Sequence, residues 1–337
     1  MRRNHAPIAA IQRVAGNPTR TPAAARCYAR SMVVSEVVRL PKLFAASSRD
    51  TIMTKPLVSN VSDTARWMAV YRAWETTRLN PLFRDPYAER LAGARGREMA
   101  AGVPWSARTG WPMIARTKLI DDLVLACAGE GCDRVLNLAA GFDTRPYRLA
   151  LPASLSWIEA DLPEIIAEKD RVLADEKPAC RLVREAVDLA DADARAAFLA
   201  RVSGPALRML VITEGLLAYL EEGVVKALAR DLATRAPVRW WILDALSPAM
   251  VDVMKKDMSA HFAHAPLRFA PESGVAFFES LGWRVRDVHS IFRAAVAYGR
   301  APWFMRPFAW FPDPDPRKPG AARWFAVARL ERKRTTP

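Results

Sequence analysis

Apolar positions at Met113, Ile120, Val124 and Cys127, with Thr117 in phase, recur at helical spacing until Gly129 and Gly131 break the pattern. The period then changes. Arg134-Val135-Leu136-Asn137-Leu138-Ala139 is short, branched and apolar and is ended by Gly141, the pattern of a buried strand feeding a loop. The same pattern returns at 156–160, 182–187, 209–213, 238–243, 283–288 and 324–328, so seven strands are expected. Helical stretches separate most of them, at 163–175, 191–203, 221–235 and 272–281; in the third, Val224, Leu228 and Leu232 share one face. Alternation of this kind builds parallel crossover units with helices on both faces. The expected fold is therefore α/β and Rossmann-like: a seven-stranded, mostly parallel, doubly wound sheet.

The segment 290–323 before the last strand is rich in proline and shows no clear helix, which suits an antiparallel hairpin at the sheet edge. Residues 53–112 and 245–270 fall outside the alternation and read as an N-terminal helical cap and a lid over the strand ends. The organisation predicted is an extension over 1–52 and one domain over 53–330, with a short basic tail at 331–337. Within the domain the cap occupies 53–112, the core 113–244, the lid 245–270 and the rest of the core 271–330.

Composition narrows the class. At 337 residues and 51% hydrophobic content, the chain can bury a full core. No apolar run approaches the roughly 18 to 20 residues of a membrane span, so no membrane partner is expected and the compartment is read as cytoplasmic. The four cysteines, Cys27, Cys127, Cys132 and Cys180, show no zinc-type spacing, which implies buried thiols in a reducing compartment and no metal. The net charge of +14 raises nucleic acid as a partner, but half of it falls in residues 1–52, where nine Lys or Arg face Glu36 and Asp50. Solvated charge, with no nucleic-acid partner, is the expectation. That first segment is also broken by Pro7, Pro18, Pro22 and Pro41. It is expected to be poorly ordered, either as a transit-type leader or as sequence upstream of a start at Met53.

In a doubly wound sheet the ligand sits beyond the carboxyl ends of the strands, where strand order reverses. The loop after the first strand, Ala139-Ala140-Gly141-Phe142-Asp143, retains one glycine and lacks the G-x-G-x-x-G cradle that a pyrophosphate needs. It suits a ligand with an amino-acid moiety, or a plain structural turn. Asp161, just past the second strand, can accept from two ribose hydroxyls or cap the helix that starts at Pro163. Asp188, followed by Leu189, stands at the end of the third strand, where a carboxylate and a backbone N–H could read an adenine edge; the alternative is again a cap. Glu214-Gly215 ends the fourth strand on the same edge.

Several motifs in register carry a resemblance. Val61-Ser62-Asp63-Thr64-Ala65-Arg66-Trp67, Arg72-Ala73-Trp74-Glu75 and Leu82-Phe83-Arg84-Asp85-Pro86-Tyr87-Ala88 come first. Arg116 to Asp122, Asn137 to Arg145, Glu159-Ala160-Asp161-Leu162-Pro163 and Glu214 to Leu220 follow in the same order and spacing. Over roughly residues 58 to 330 the chain resembles the leucine carboxyl methyltransferase family, in particular its bacterial branch, which includes polyketide-type O-methyltransferases. The resemblance implies S-adenosyl-L-methionine as cofactor and methyl transfer to oxygen. It places the cofactor's carboxylate on Arg116, its ribose on Asp161, its adenine on Asp188 and Leu189, and its methionine end against Ala139, Gly141 and Glu214. Ala139 departs from the family, where glycine is common.

A sulfonium methyl is already activated, so the protein has chiefly to align nucleophile, methyl and sulfur and exclude water. A carboxylate acceptor needs no general base, whereas a hydroxyl does. Candidate bases are Tyr219, His261, His264 and His289. The aromatic run Trp303, Phe304, Phe308, Trp310 and Phe311 reads either as the wall of an apolar pocket or as edge packing. The expected activity is O-methylation of a carboxylate or hydroxyl on an acidic or aromatic small molecule. Alternatives are methylation of a protein's C-terminal carboxyl group, or cofactor binding without turnover.

Overall fold

The computed structural model describes residues 61–102, 109–204, 208–257 and 266–333. The expectations for the 1–52 extension, and for His261 and His264, lie outside these residues.

One sheet is formed by β1 (Arg134–Leu138), β2 (Ser156–Asp161), β3 (Arg181–Ala186), β4 (Met209–Thr213), β5 (Val238–Leu246), β6 (Trp283–Ser290) and β7 (Phe325–Arg332). Its order is β3-β2-β1-β4-β5-β7-β6. β1 to β5 run parallel, and β7 is antiparallel to both β5 and β6. The helices are α1 (Val61–Thr76), α2 (Ala88–Gly102), α3 (Trp111–Gly129), α4 (Arg145–Arg148), α5 (Pro163–Val172), α6 (Ala192–Val202), α7 (Glu222–Thr234), α8 (Pro248–Asp257) and α9 (Ile291–Ala297).

Every residue of β4 is buried, and the strand's period of two explains how. Leu210 and Ile212 face a layer built from Leu119, Ile120 and Val124 of α3 with Ile291 and Ala295 of α9. Val211 and Met209 face the opposite layer, with Phe198 and Leu199 of α6 and Val225, Leu228 and Leu232 of α7. Trp241, Phe278 and Trp283 meet edge to face in that second layer, at centroid distances of 5.1 and 5.2 Å from Trp241.

Three features differ from the sequence reading. The segment before β7 is not helix-free, since it contains α9 and a 3-10 turn at Trp303–Trp310. Ser290 caps α9 by accepting from the Arg293 N–H at 3.4 Å, and the helix ends before the first proline of the segment, Pro302. The stretch expected as helix over 272–281 is a 3-10 turn at Gly274–Leu281, and β7 continues through Glu331 into the residues expected as tail. Gly274 has φ +51, and a Cβ there would lie 2.1 Å from the Pro316 carbonyl oxygen, so the close approach requires glycine.

α1 and α2 pack on each other through Trp67, Val70, Tyr71, Leu91 and Met99, together with Phe142 from the loop after β1 and Ile165 from α5. Polar contacts fix this pair to the strand ends. Arg72 donates to Asp85 at 2.8 Å and to the Phe142 carbonyl at 2.6 Å, while Thr144 donates to Asp85 at 2.7 Å. The strand order reverses between β1 and β4, so the crevice the fold creates lies above their carboxyl ends, beneath α1.

Candidate functional site

A cleft of about 990 Å3 opens at this reversal point. That volume is at the upper end of the roughly 300 to 1,000 Å3 usual for small-molecule sites, enough for two ligands side by side. Arg116, Ala139, Gly141, Asp161, Asp188, Leu189, Glu214 and Tyr219, separated by up to about a hundred residues in sequence, all line it. His289 does not line it; burial lowers its pKa.

The loop after β1 is shaped by its backbone. Gly141 has φ +49 and Ala139 has φ +55, which makes Ala139 the non-glycine residue with a left-handed backbone among the described residues. A methyl side chain in that region is strained by about 1 to 2 kcal/mol. The loop is held by Asp161, whose Oδ2 accepts from the Gly141 N–H at 2.6 Å and whose Oδ1 accepts from the Leu162 N–H at 2.7 Å. Burial raises the Asp161 pKa, with these two N–H groups pulling it back. Each carboxylate oxygen keeps further lone-pair directions, so the group can anchor the loop and still accept from a ligand. Asp161 is not a conventional cap of α5, because Leu162 occupies that position.

Asp188 accepts from the Ala190 N–H at 2.9 Å, a local turn contact, while the cap of α6 is Asp191, which accepts from Asp193 and Ala194 at 2.9 and 3.0 Å. The Asp188 carboxylate thus remains at the cleft without a helix to cap.

The centre of the cleft is a network of buried charges. Arg116 on α3 donates from Nη1 to Asp244 at 2.7 Å, and its Nε lies 3.0 Å from Glu214 without hydrogen-bond geometry. Arg145 donates to Glu214 at 2.8 Å, to Asp143 at 2.7 Å and to Asp121 at 2.7 Å. Asn137 donates to Asp143 at 2.8 Å. Burial works against ionisation of Glu214, but Arg145 and Arg116 outweigh it and hold the carboxyl below its usual range. Asp143 is held well below its usual range in the same way, chiefly by Arg145. Asp244 goes the other way, because burial outweighs Arg116 and the Gly215 N–H. Gly215 donates to Asp244 at 2.9 Å, and its left-handed φ of +66 is the conformation that favours glycine there.

Sequence reasoning missed Asp244, Arg145 and Arg72 as site residues. The available signal was charge in apolar settings: Asp244 interrupts the run Trp240 to Leu246, and Arg145 opens a helix start, where the macrodipole disfavours a cation.

The cleft lining changes along the sheet edge. Over β1, β2 and β3 the polar groups of Asn137, Asp143, Asp161 and Asp188 stand among Phe142, Leu162, Val187 and Leu189. Beyond the charged residues Glu214 and Asp244 at the ends of β4 and β5, the cleft is lined by Leu246, Met250, Met254, Met305, Phe308 and Phe311, with Asp313 and Arg323. Tyr219 sits at this side and packs against the cluster of Leu246, Val251 and Leu267; burial pushes its hydroxyl up to about 12.

The cleft brings carboxylates at the ends of β2 and β3 together with the guanidinium of Arg116 from α3, which reaches Glu214 and Asp244. Among the described residues no cluster of metal-binding side chains occurs. Comparison with known proteins identifies the family. The family model of leucine carboxyl methyltransferase matches residues 65–233. A Frankia alni protein with the provisional name of S-adenosyl-L-methionine-dependent methyltransferase is 33% identical over 255 residues, covering 72% of this chain and 88% of its own. A Mycobacteroides abscessus protein with the same provisional name is 32% identical over 268 residues, covering 72% and 89%. Among solved structures, a duf574 family protein from Streptomyces avermitilis aligns over 80% of this chain and 97% of its own, at 14% identity and TM-score 0.48. Magnesium protoporphyrin IX methyltransferase from Synechocystis, solved with bound SAH, aligns over 70% and 93%, at 13% identity and TM-score 0.40. By family match and by the identity of its relatives, the chain belongs to the leucine carboxyl methyltransferase family, a family of methyltransferases whose cofactor is S-adenosyl-L-methionine.

Proposed function

We propose that the protein methylates a carboxylate oxygen of a small, apolar or aromatic acid. The observation that carries this reading is the group of methionine, leucine and phenylalanine side chains in the cleft, Leu246, Met250, Met254, Met305, Phe308 and Phe311, with an exposed cation, Arg323, beside it. The carboxylates at the ends of β2 and β3 suit the cofactor. Methionine adapts to irregular apolar shapes, and a rim cation favours acids over neutral analogues.

S-adenosyl-L-methionine supplies a methyl group already activated on a sulfonium centre. In this reading Asp161 accepts from the ribose hydroxyls, Asp188 and the Leu189 backbone hold the adenine edge, and Arg116 faces the amino-acid carboxylate. Ala139, Gly141 and Glu214 line the methionine end. Glu214 is ionised at neutral pH because Arg145 and Arg116 hold its pKa down, so it provides fixed negative charge near a cationic centre. Tyr219 keeps its proton at neutral pH and serves as a hydrogen-bond donor, not as a base. An acceptor that arrives ionised matches that chemistry, because a carboxylate has no proton to lose.

The test is transfer of labelled methyl from S-adenosyl-L-methionine to a panel of aromatic and aliphatic acids and phenols, followed by mild alkali. A methyl ester releases methanol under alkali and an aryl ether does not. Label that resists alkali would turn the reading to hydroxyl methylation. Label appearing only on peptides with a free C-terminus would turn it to a protein substrate.

A further inference from the structure

The described residues contain nine large hydrophobic side chains that are exposed, and five of them fall within one short stretch: Trp303, Phe304, Phe308, Trp310 and Phe311. Trp303 and Trp310 are 79% and 88% exposed, and no residue of the 3-10 turn that carries them is buried. The run divides: Phe308 and Phe311 line the cleft, as the pocket-wall reading expects, whereas the two tryptophans project from the surface and fit neither that reading nor edge packing.

The exposure is not slack in the chain. Arg293 of α9 donates to the Phe311 carbonyl at 2.6 Å and pairs with Asp313 at 2.7 Å, and Arg306 donates to the Ala301 carbonyl at 3.3 Å. The backbone is fastened while its aromatic side chains are left in water. A concentrated, fixed apolar patch of this size marks a surface that is covered by something else.

We infer that this aromatic ridge is an attachment site for an anionic phospholipid surface. Trp and Phe are the side chains that settle at the headgroup boundary, and cations beside them add attraction to anionic lipid. In the same stretch Arg306, Lys318 and Arg323 are exposed and have no carboxylate ion-pair partner among the described residues, while of its exposed carboxylates Asp313 is paired with Arg293 and Asp315 remains, which leaves cations in excess. Charge also decides between occupants: outside residues 1–52 the chain still carries half of its net charge of +14, so two copies repel one another, whereas an anionic bilayer attracts each. No described helix is long and apolar enough to cross a membrane, so the attachment is to the surface.

The ridge and the cleft share a wall, since Phe308 and Phe311 belong to both. Attachment here would set the cleft mouth against the lipid, where an apolar acid is concentrated. That consequence rests on the proposed acceptor; the attachment does not.

The experiment is flotation of the full chain with phosphatidylcholine vesicles, with and without phosphatidylglycerol, for the wild type and the Trp303→Ser, Trp310→Ser double variant. Neither tryptophan lines the cleft, so cofactor binding and the thermal midpoint should stay unchanged and show that the variant is folded. The expected result is binding to vesicles that contain phosphatidylglycerol, reduced by about tenfold or more in the variant. Brominated lipid should quench tryptophan fluorescence of the bound wild type and quench the variant less. Equal vesicle binding by both proteins would assign the interaction to charge elsewhere and overturn the proposal. A dimer in sedimentation velocity that the variant loses, without vesicle binding, would assign the ridge to a second copy and also overturn it. Methyl transfer to acids in free solution tests the activity separately, so failure of one reading leaves the other intact.

Discussion

Replacing Asp161 by alanine separates two jobs that the structure loads on one carboxylate. Its oxygens accept from the Gly141 and Leu162 N–H groups at 2.6 and 2.7 Å, and the residue is only 5% exposed. Removing it leaves two sheltered donors unpaired, at about 1 to 3 kcal/mol each, so a stability loss of about 2 to 6 kcal/mol is expected in urea unfolding. That loss says nothing about the cofactor. The ribose role is isolated by a cycle in which S-adenosylhomocysteine and its 2′,3′-dideoxy analogue are titrated calorimetrically into both proteins. Two hydrogen bonds to an ionised acceptor give a coupling of about 3 kcal/mol, roughly a hundredfold in Kd. Damage to the loop appears with both ligands and cancels. Additivity within about 0.5 kcal/mol would refute the assignment and leave Asp161 as a loop anchor alone. Should the alanine variant not fold, Asp161→Asn preserves one acceptor and permits the same cycle at about half the coupling.

Ala139→Gly is expected to stabilise the protein by about 0.5 to 1 kcal/mol, since relief of about 1 to 2 kcal/mol of left-handed strain exceeds the added freedom of glycine in the unfolded chain; a lower thermal midpoint would count against the strain. Acid should destabilise the charge network in a defined direction. Glu214 is held below its usual pKa when folded, so the unfolded chain takes up the proton first as pH falls. Its contribution is complete above the ordinary carboxylate value of about 4.3 and is lost as pH drops through that value toward the folded one. Asp161 and Asp244 shift oppositely, so the informative quantity is the difference between wild type and Glu214→Gln in urea midpoint against pH. That difference should shrink in acid, and a constant difference would show that Glu214 is not held ionised by Arg145 and Arg116.

Local pattern carried much of the fold. The strand at 209–213 was legible from its apolar run, and so were the neighbouring helices, because burial on two faces demands a composition that little else produces. The edge was less legible. α9 is seven residues long, too short for a clear helical period, and lies just ahead of the prolines that begin at Pro302; its stability comes from Ile291 and Ala295 packing against the layer of α3. The insertion of β7 between β5 and β6 is a pairing across some eighty residues, which no local period encodes.

The site divides in the same way. Residues that end strands were found by position, because a doubly wound sheet brings its strand ends to one edge whatever the side chains are. From the sequence alone one can read that edge, the small-residue loop, the acids at Asp161, Asp188 and Glu214, and the family they resemble. Tertiary structure decided how those groups are engaged. It tied Asp161 to the glycine loop and set Arg116 between Glu214 and Asp244. It also buried Arg145 among three carboxylates and left Trp303 and Trp310 in water. The physical reason is range. Backbone period and strand ends follow from neighbours along the chain, whereas the ionisation of a carboxylate and the exposure of an aromatic ring depend on groups that meet only after the chain has closed.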